Sequence, residues 1–225
     1  MTNNFQKINV RGVDFAAVTP DEATAICTAM LDGDRVCSVF TPNAEIVQLC
    51  VGQPDYYDLY NSGDLVVPDG AGVVKAAKVL GRPLPGKVAG VELGERMLAV
   101  CGARGDGVYC LGAKPGDAEE AAKRMCSKYP GLSVVGTHDG YFKKSGEESD
   151  AVVAAINASG AKLLFVCLGV AVQERWITDN REKLTAARVC MCLGGSLDVY
   201  AGVARRAPKF FVDHSLEWLY RLMKE

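Results

Sequence analysis

The chain of 225 residues is 49% hydrophobic, enough to bury a substantial core, which excludes a disordered or fibrous protein. A formal net charge of −2 and a pI near 5.8 exclude bulk phosphate neutralisation as the main activity, so nucleic acid is not an expected partner. No stretch reaches the about 18 uninterrupted apolar residues of a membrane span, and the opening "MTNNFQKINVRG" lacks the pattern of a signal peptide.

In chain order, "INVRGVDFAAV" reads as a short strand. The Thr19-Pro20-Asp21-Glu22 that follows reads as a capped helix start: Thr19 accepts from free N–H groups, Pro20 fits the first turn and the acids suit its positive end. "RVCSVF" is the next strand, ending at Phe40, with a turn at Thr41-Pro42-Asn43 and a helix from Ala44. "DLVV" runs into Pro68-Asp69-Gly70 and a helix whose first turn is nearly all small residues. A loop with prolines and basic residues, "GRPLPGKVAG", leads into the helix "VELGERMLAVCGARG". From Gly107 onward, three strand–helix repeats and a final strand, "ARVCMCLGG", have the near-continuous apolar strands of a doubly wound parallel sheet. The expected fold class is α/β. Two α/β halves, 1–104 and 105–202, would face each other across a cleft, with the Rossmann-like, mostly parallel sheet in the second half and an amphipathic, basic and aromatic segment over 203–225.

Nine cysteines, odd in number and set mostly in apolar segments, read as buried reduced thiols in a cytoplasmic setting. With no Cys-x-x-Cys and only His138 and His214, no metal site is expected. Asp32-Gly33-Asp34 has the spacing of a metal-binding Asp-x-Asp but joins a helix to a strand, on the side away from the strand carboxyl ends, and reads as a solvated turn.

Three glycine-rich strand ends, at Gly112, Gly169 and Gly194-Gly195-Ser196, would put backbone N–H groups at the sheet's carboxyl edge, where nucleotide phosphates bind. None matches Gly-x-Gly-x-x-Gly, which disfavours a dinucleotide oxidoreductase. Asp69 reads either as a helix cap or as a carboxylate at the sheet rim. If its strand neighbours the one ending at Phe40, Asp69 can act as a general base with Thr41 and Asn43 beside it. Gln173-Glu174 reads as the first turn of a helix, and Asp198 as a helix cap or a receiver of a sugar hydroxyl. If a diphosphate leaves in the reaction, its charge would fall to helix N-termini and to Lys87, Arg82, Arg205, Arg206 and Arg221.

Taken together, "TPNAEIV", "VPDGAGVVKAAKVLGRPLP", "KVAG", "VVGTHDGYF", "LGVAVQERW", "GGSLDVYAGVARRAP" and "LEWLYRL" resemble the WecG/TagA/CpsF glycosyltransferase family over nearly the whole chain. The resemblance implies an inverting bacterial enzyme, peripheral to the inner face of the cell membrane. Such an enzyme moves N-acetylmannosamine or a related sugar from a UDP donor to the C4 hydroxyl of undecaprenyl-diphosphate-linked N-acetylglucosamine, without an essential metal or other cofactor. It implies Asp69 as the base, Thr41, Asn43 and Gln173 in the pocket, and Gly112, Gly136, Gly169, Gly194, Gly195, Ser196 and Asp198 on the UDP side.

Two departures stand out. Lys87 replaces a common arginine and loses its bidentate fork, and Ala171 replaces the proline of Gly-x-Pro-x-Gln-Glu, from which a less rigid loop is expected. Members of the family continue past "WLYRL" with a basic tail that contacts the membrane; this sequence stops at Glu225, and low activity in solution is expected on that account. A non-catalytic UDP-sugar or lipid-diphosphate binding protein is the other reading of the same residues, and a homo-oligomer formed through the terminal apolar residues stays open.

Overall fold

A computed structural model describes residues 5–204. The chain opens with a hairpin, not a single strand: β1 (Lys7–Val10) pairs antiparallel with β2 (Val13–Ala16), with Val10 opposite Val13. The two residues left for the turn, Arg11 and Gly12, have φ of 49° and 95°. Positive φ at both centres is the geometry whose twist suits a tight hairpin, and arginine is not a residue that announces it. Asn61 secures the hairpin from outside, accepting from Asp14 N–H and donating to Gly12 O, both at 2.9 Å.

Helix α1 (Pro20–Leu31) begins as its sequence demands: Thr19 Oγ1 accepts from Glu22 N–H, and Glu22 Oε2 accepts from Thr19 N–H at 2.7 Å. Then come β3 (Cys37–Phe40), α2 (Ala44–Gly52), α3 (Asp55–Asn61), β4 (Leu65–Val66), α4 (Ala71–Val79) and α5 (Gly90–Arg104). The remainder alternates: β5 (Gly107–Gly112), α6 (Asp117–Lys128), β6 (Ser133–His138), α7 (Glu147–Ser159), β7 (Leu163–Cys167), α8 (Val172–Asn180), β8 (Val189–Cys192) and the short α9 (Ser196–Tyr200).

The α/β class with a Rossmann-like parallel sheet is what the structure has, but the sheet is larger than the sequence suggested. Six parallel strands lie in the order β4-β3-β8-β7-β5-β6, so β3 and β4 from residues 1–104 continue the sheet of residues 105–202. Alternate residues of each strand enter opposite cores. Val108, Cys110, Leu163, Phe165, Val189 and Met191 face α1, α5, α6 and α9, whereas Tyr109, Leu111, Leu164, Val166, Cys190 and Cys192 face α2, α4, α7, α8 and the hairpin.

All nine cysteines are free thiols and all but Cys126 are buried. Burial pushes Cys27, Cys101, Cys167 and Cys190 up to about 12, so these groups pack rather than react. Among the described residues no helix is long and apolar enough to cross a membrane, and no three His, Cys, Asp or Glu side chains converge to hold a metal ion.

The amino edge of the sheet is closed by ion pairs. Asp64, just before β4, accepts from Ser38 N–H at 2.8 Å and from Arg35 at 2.6 Å, and also binds Arg181 beyond α8. Arg181 donates in addition to Val36 O, at 2.9 and 3.1 Å. Asp106 joins Arg104 and Lys162 at 2.6 and 2.8 Å, and Arg104 reaches Asp32, which is therefore an ion-pair partner at the end of α1. Burial alone would raise the Asp64 pKa, but the Ser38 N–H and the two guanidinium groups outweigh it and hold it below 3.8.

Replacement Asp64→Ala leaves the Ser38 N–H and Arg181 without their anion. It is expected to lower stability at pH 7 by about 3 kcal/mol in urea unfolding. Because the folded pKa is depressed, the contribution is present above pH 3.8 and disappears as pH falls through the lower folded value. The gap between variant and parent is therefore expected to narrow in acid.

Candidate functional site

The carboxyl edge of the sheet is built differently, from glycines and loops. Between β5 and β7 the chain changes direction: β5 leaves for β6 through α6 on one face, and β7 leaves for β8 through α8 on the other. Such a reversal opens a crevice at the strand ends. Gly112 ends β5 there with φ of +132°, and a Cβ on it would lie 2.2 Å from Cys167 O at the end of β7. No other residue fits that closure. A second reversal lies between β3, which exits to α2, and β8, which exits to α9 on the opposite face.

At this second opening the pocket predicted from the first half comes together. β3 and β4 are neighbours, with Val39 opposite Leu65 and Phe40 opposite Val66. The ladder runs on past the strands, since Val67 N–H donates to Phe40 O and Asp69 N–H to Pro42 O, at 2.9 and 3.3 Å. Asp69, Thr41 and Asn43 thus share one rim, and each is partly buried. The capping position of α4 belongs to Gly70, at φ +82°, and Asp69 stands one residue ahead of it.

The bonds of the other two residues limit what they can offer. Thr41 Oγ1 donates to Cys192 O at 2.9 Å, tying β3 to the end of β8, so its hydroxyl can only accept from a ligand. Asn43 caps α2 by accepting from Ile46 N–H at 3.0 Å, which leaves its Nδ2 donors for the rim. The start of α5 closes this side, since a Cβ on Gly90 would lie 2.9 Å from Thr41 Oγ1. Lys87, three residues earlier, is half-buried, and its neighbour Val88 donates its N–H to Pro68 O at 2.9 Å.

The glycine-rich candidates divide. Gly169 is exposed after β7 at φ +91°, and Gly194 and Gly195 follow β8. Gly136 lies inside β6 rather than in a loop, where a Cβ would collide with the Tyr109 ring at 2.4 Å, so packing explains it. Ser196 is buried and donates to Leu193 O at 2.6 Å. Asp198 is half-buried on α9. Burial raises its pKa and the nearby Asp117 raises it further, against the pull of Lys114. Arg205, Arg206 and Arg221, with nearly all of the segment over 203–225, lie outside the described residues.

Gln173 is placed otherwise than as an open pocket residue. It is 4% exposed, its Oε1 accepts from Gly194 N–H at 3.1 Å, and its Nε2 donates to Glu174 Oε1 at 3.0 Å. It therefore clamps the loop after β8 to the start of α8.

From sequence Glu174 is only a first-turn acid, and nothing singles out Tyr60. Glu174 is 1% exposed, and burial raises its pKa above 4.5 against the opposing effect of the Gln173 amide. Tyr60 Oη accepts from Ala171 N–H at 3.2 Å. A signal for Glu174 did exist: Trp176, Ile177 and Asn180 mark the inward face of α8, and Gln173 and Glu174 fall on it at three- and four-residue spacing.

In the loop expected to be less rigid, Ala171 is buried at φ +61° and its N–H donates to Tyr60 Oη.

Residues 8–225 match the glycosyl transferase WecG/TagA/CpsF family. A protein of Bacillus spizizenii named N-acetylglucosaminyldiphosphoundecaprenol N-acetyl-beta-D-mannosaminyltransferase is 35% identical over 196 residues, 87% of this chain and 74% of the relative. One of the same name from Staphylococcus aureus is 32% identical over 223 residues, 98% of this chain and 86% of the relative.

Ala171→Pro tests the loop. Proline can adopt neither φ near +61° nor the N–H donation to Tyr60, so the substitution is expected to cost about 2 kcal/mol or more in thermal or urea unfolding.

Proposed function

Because the chain belongs to the WecG/TagA/CpsF glycosyl transferase family, we propose that it moves N-acetylmannosamine, or a closely related sugar, from a UDP donor to the C4 hydroxyl of N-acetylglucosamine carried on undecaprenyl diphosphate. The observation that carries this reading is the shared rim of Asp69, Thr41 and Asn43, with Asp69 N–H bound to Pro42 O, beside the glycine loop that ends β8.

The chemistry follows from that placement. The carboxylate of Asp69 accepts the proton of the acceptor hydroxyl as its oxygen attacks the anomeric carbon. UDP leaves from the opposite face, which inverts the configuration. The Nδ2 donors of Asn43 and the acceptor lone pairs of Thr41 orient the incoming sugar.

The departing diphosphate carries the charge that must be stabilised. Lys87 meets it as a point charge, and backbone N–H groups at the carboxyl edge of the sheet, near Gly112 and Gly169, supply fixed dipoles. Arg205, Arg206 and Arg221 would add to this positive field. In this scheme residues 1–104 provide the base and the acceptor side, and residues 105–202 the donor side. On this reading a lipid-linked acceptor would be met at the membrane surface, with residues 203–225 as the basic and aromatic segment that approaches it.

Release of UDP from UDP-N-acetylmannosamine in the presence of a short-chain lipid-diphosphate N-acetylglucosamine tests the assignment. Asp69→Asn is expected to lower the acceptor-dependent rate about a hundredfold or more with little change in UDP affinity by calorimetry. Equal rates in parent and variant would remove Asp69 from the reaction.

A further inference from the structure

α8 turns one carboxyl group into the protein that the reaction above does not use. Glu174 Oε1 accepts from Gln173 Nε2 at 3.0 Å, while Oε2 makes no hydrogen bond of ordinary geometry among the described residues, although the Tyr60 hydroxyl and the Ala171 and Glu174 N–H groups lie near enough to ease the burial of the carboxyl. The ionisable groups facing it are Tyr60 of α3, Cys50 of α2 and Cys192 of β8. No cation is among these neighbours.

A buried carboxyl with one oxygen left over destabilises a fold. An apolar side chain of the same volume often serves stability as well or better. Groups of this kind are concentrated where a site requires them.

Its neighbour shows what it does. The Gln173 amide has one end that only accepts and one that only donates. With Oε1 on Gly194 N–H and Nε2 on Glu174, the amide has a single orientation that satisfies both contacts. Gly194 begins the loop after β8, two residues past Cys192, whose carbonyl holds Thr41. Displacement of Gly194 would therefore shift the loop against the rim that carries Thr41.

We infer that Glu174 is a positioning residue of the glycosyl transfer: by fixing the Gln173 amide it holds Gly194 and the loop after β8 in register with the Thr41, Asn43 and Asp69 rim. This rests on the proposed transferase reaction. Burial, which raises the Glu174 pKa, favours its neutral form, and a neutral carboxyl still offers Gln173 an acceptor oxygen. What Gln173 requires from position 174 is that acceptor, not a charge.

Two variants of the full chain separate the outcomes. Glu174→Met keeps the volume and removes the acceptor, whereas Glu174→Gln keeps both shape and acceptor. In Glu174→Met the melting temperature is expected to hold or rise and hydrogen exchange at the Gly194 amide to quicken about tenfold. Turnover is expected to fall about ten- to a hundredfold at little changed KM for the donor. Glu174→Gln is expected to restore Gly194 protection and most of the turnover.

Unchanged Gly194 exchange in Glu174→Met overturns the proposal, and so does faster exchange with unchanged turnover. Melting temperature and turnover falling together in both variants would mark a purely structural role and overturn it too. If the parent chain transfers no sugar from any UDP donor, the transferase reading fails instead, while Gly194 exchange without ligand still decides whether Glu174 holds the loop.

Discussion

The parallel pairing of β3 with β8 holds the two parts of this chain in one structure. Cys37 lies opposite Val189 and Val39 opposite Met191, and Thr41 Oγ1 carries the contact beyond the strands to Cys192 O, 151 residues away in sequence. Without that seam the β3 and β4 strand ends, with Asp69, would have no fixed relation to the glycine loops of β5, β7 and β8. A parallel sheet needs cover on both faces, which the alternation of Tyr109 and Leu111 against Val108 and Cys110 provides with two separate apolar cores. The position of the site thus follows from ordinary burial acting across a long-range contact.

The two edges of the sheet do different work. At the amino edge Asp64 and Asp106 collect guanidinium and ammonium groups, so the strand starts are locked by charge. The carboxyl edge, beside Lys87, is built from glycines, a threonine bound to a carbonyl, an amide clamp and a buried carboxyl. The first edge favours stability. The second carries the partly buried Asp69 and the backbone N–H groups at the rim of the proposed site, and the Glu174 carboxyl is buried in α8.

Gln173 illustrates how the same residue changes meaning between levels. From sequence it is an amide at a helix start next to a glycine-rich strand end. In the fold it is buried and ties the loop after β8 to the start of α8 through Gly194. Ala171 carries a similar lesson. Loss of a family proline suggests a looser loop, yet the N–H that proline lacks is the one Tyr60 holds.

Local chemistry determined much from sequence alone. The capped start at Thr19, the turn at Pro42-Asn43, the alternation of strands and helices from Gly107 and the glycine strand ends all depend on residues within a few positions of one another, so the sequence displays them. The hairpin at Arg11-Gly12 escaped because its turn puts an arginine at positive φ, where asparagine or aspartate is the usual partner of the glycine. The extent of the sheet, the neighbouring of β3 and β4 that brings Asn43 beside Asp69, and the meeting of Glu174 with Tyr60 and Cys192 were decided only by tertiary structure. Each is a contact between segments far apart in the chain, and periodicity records which face of an element is apolar, not which partner will cover it.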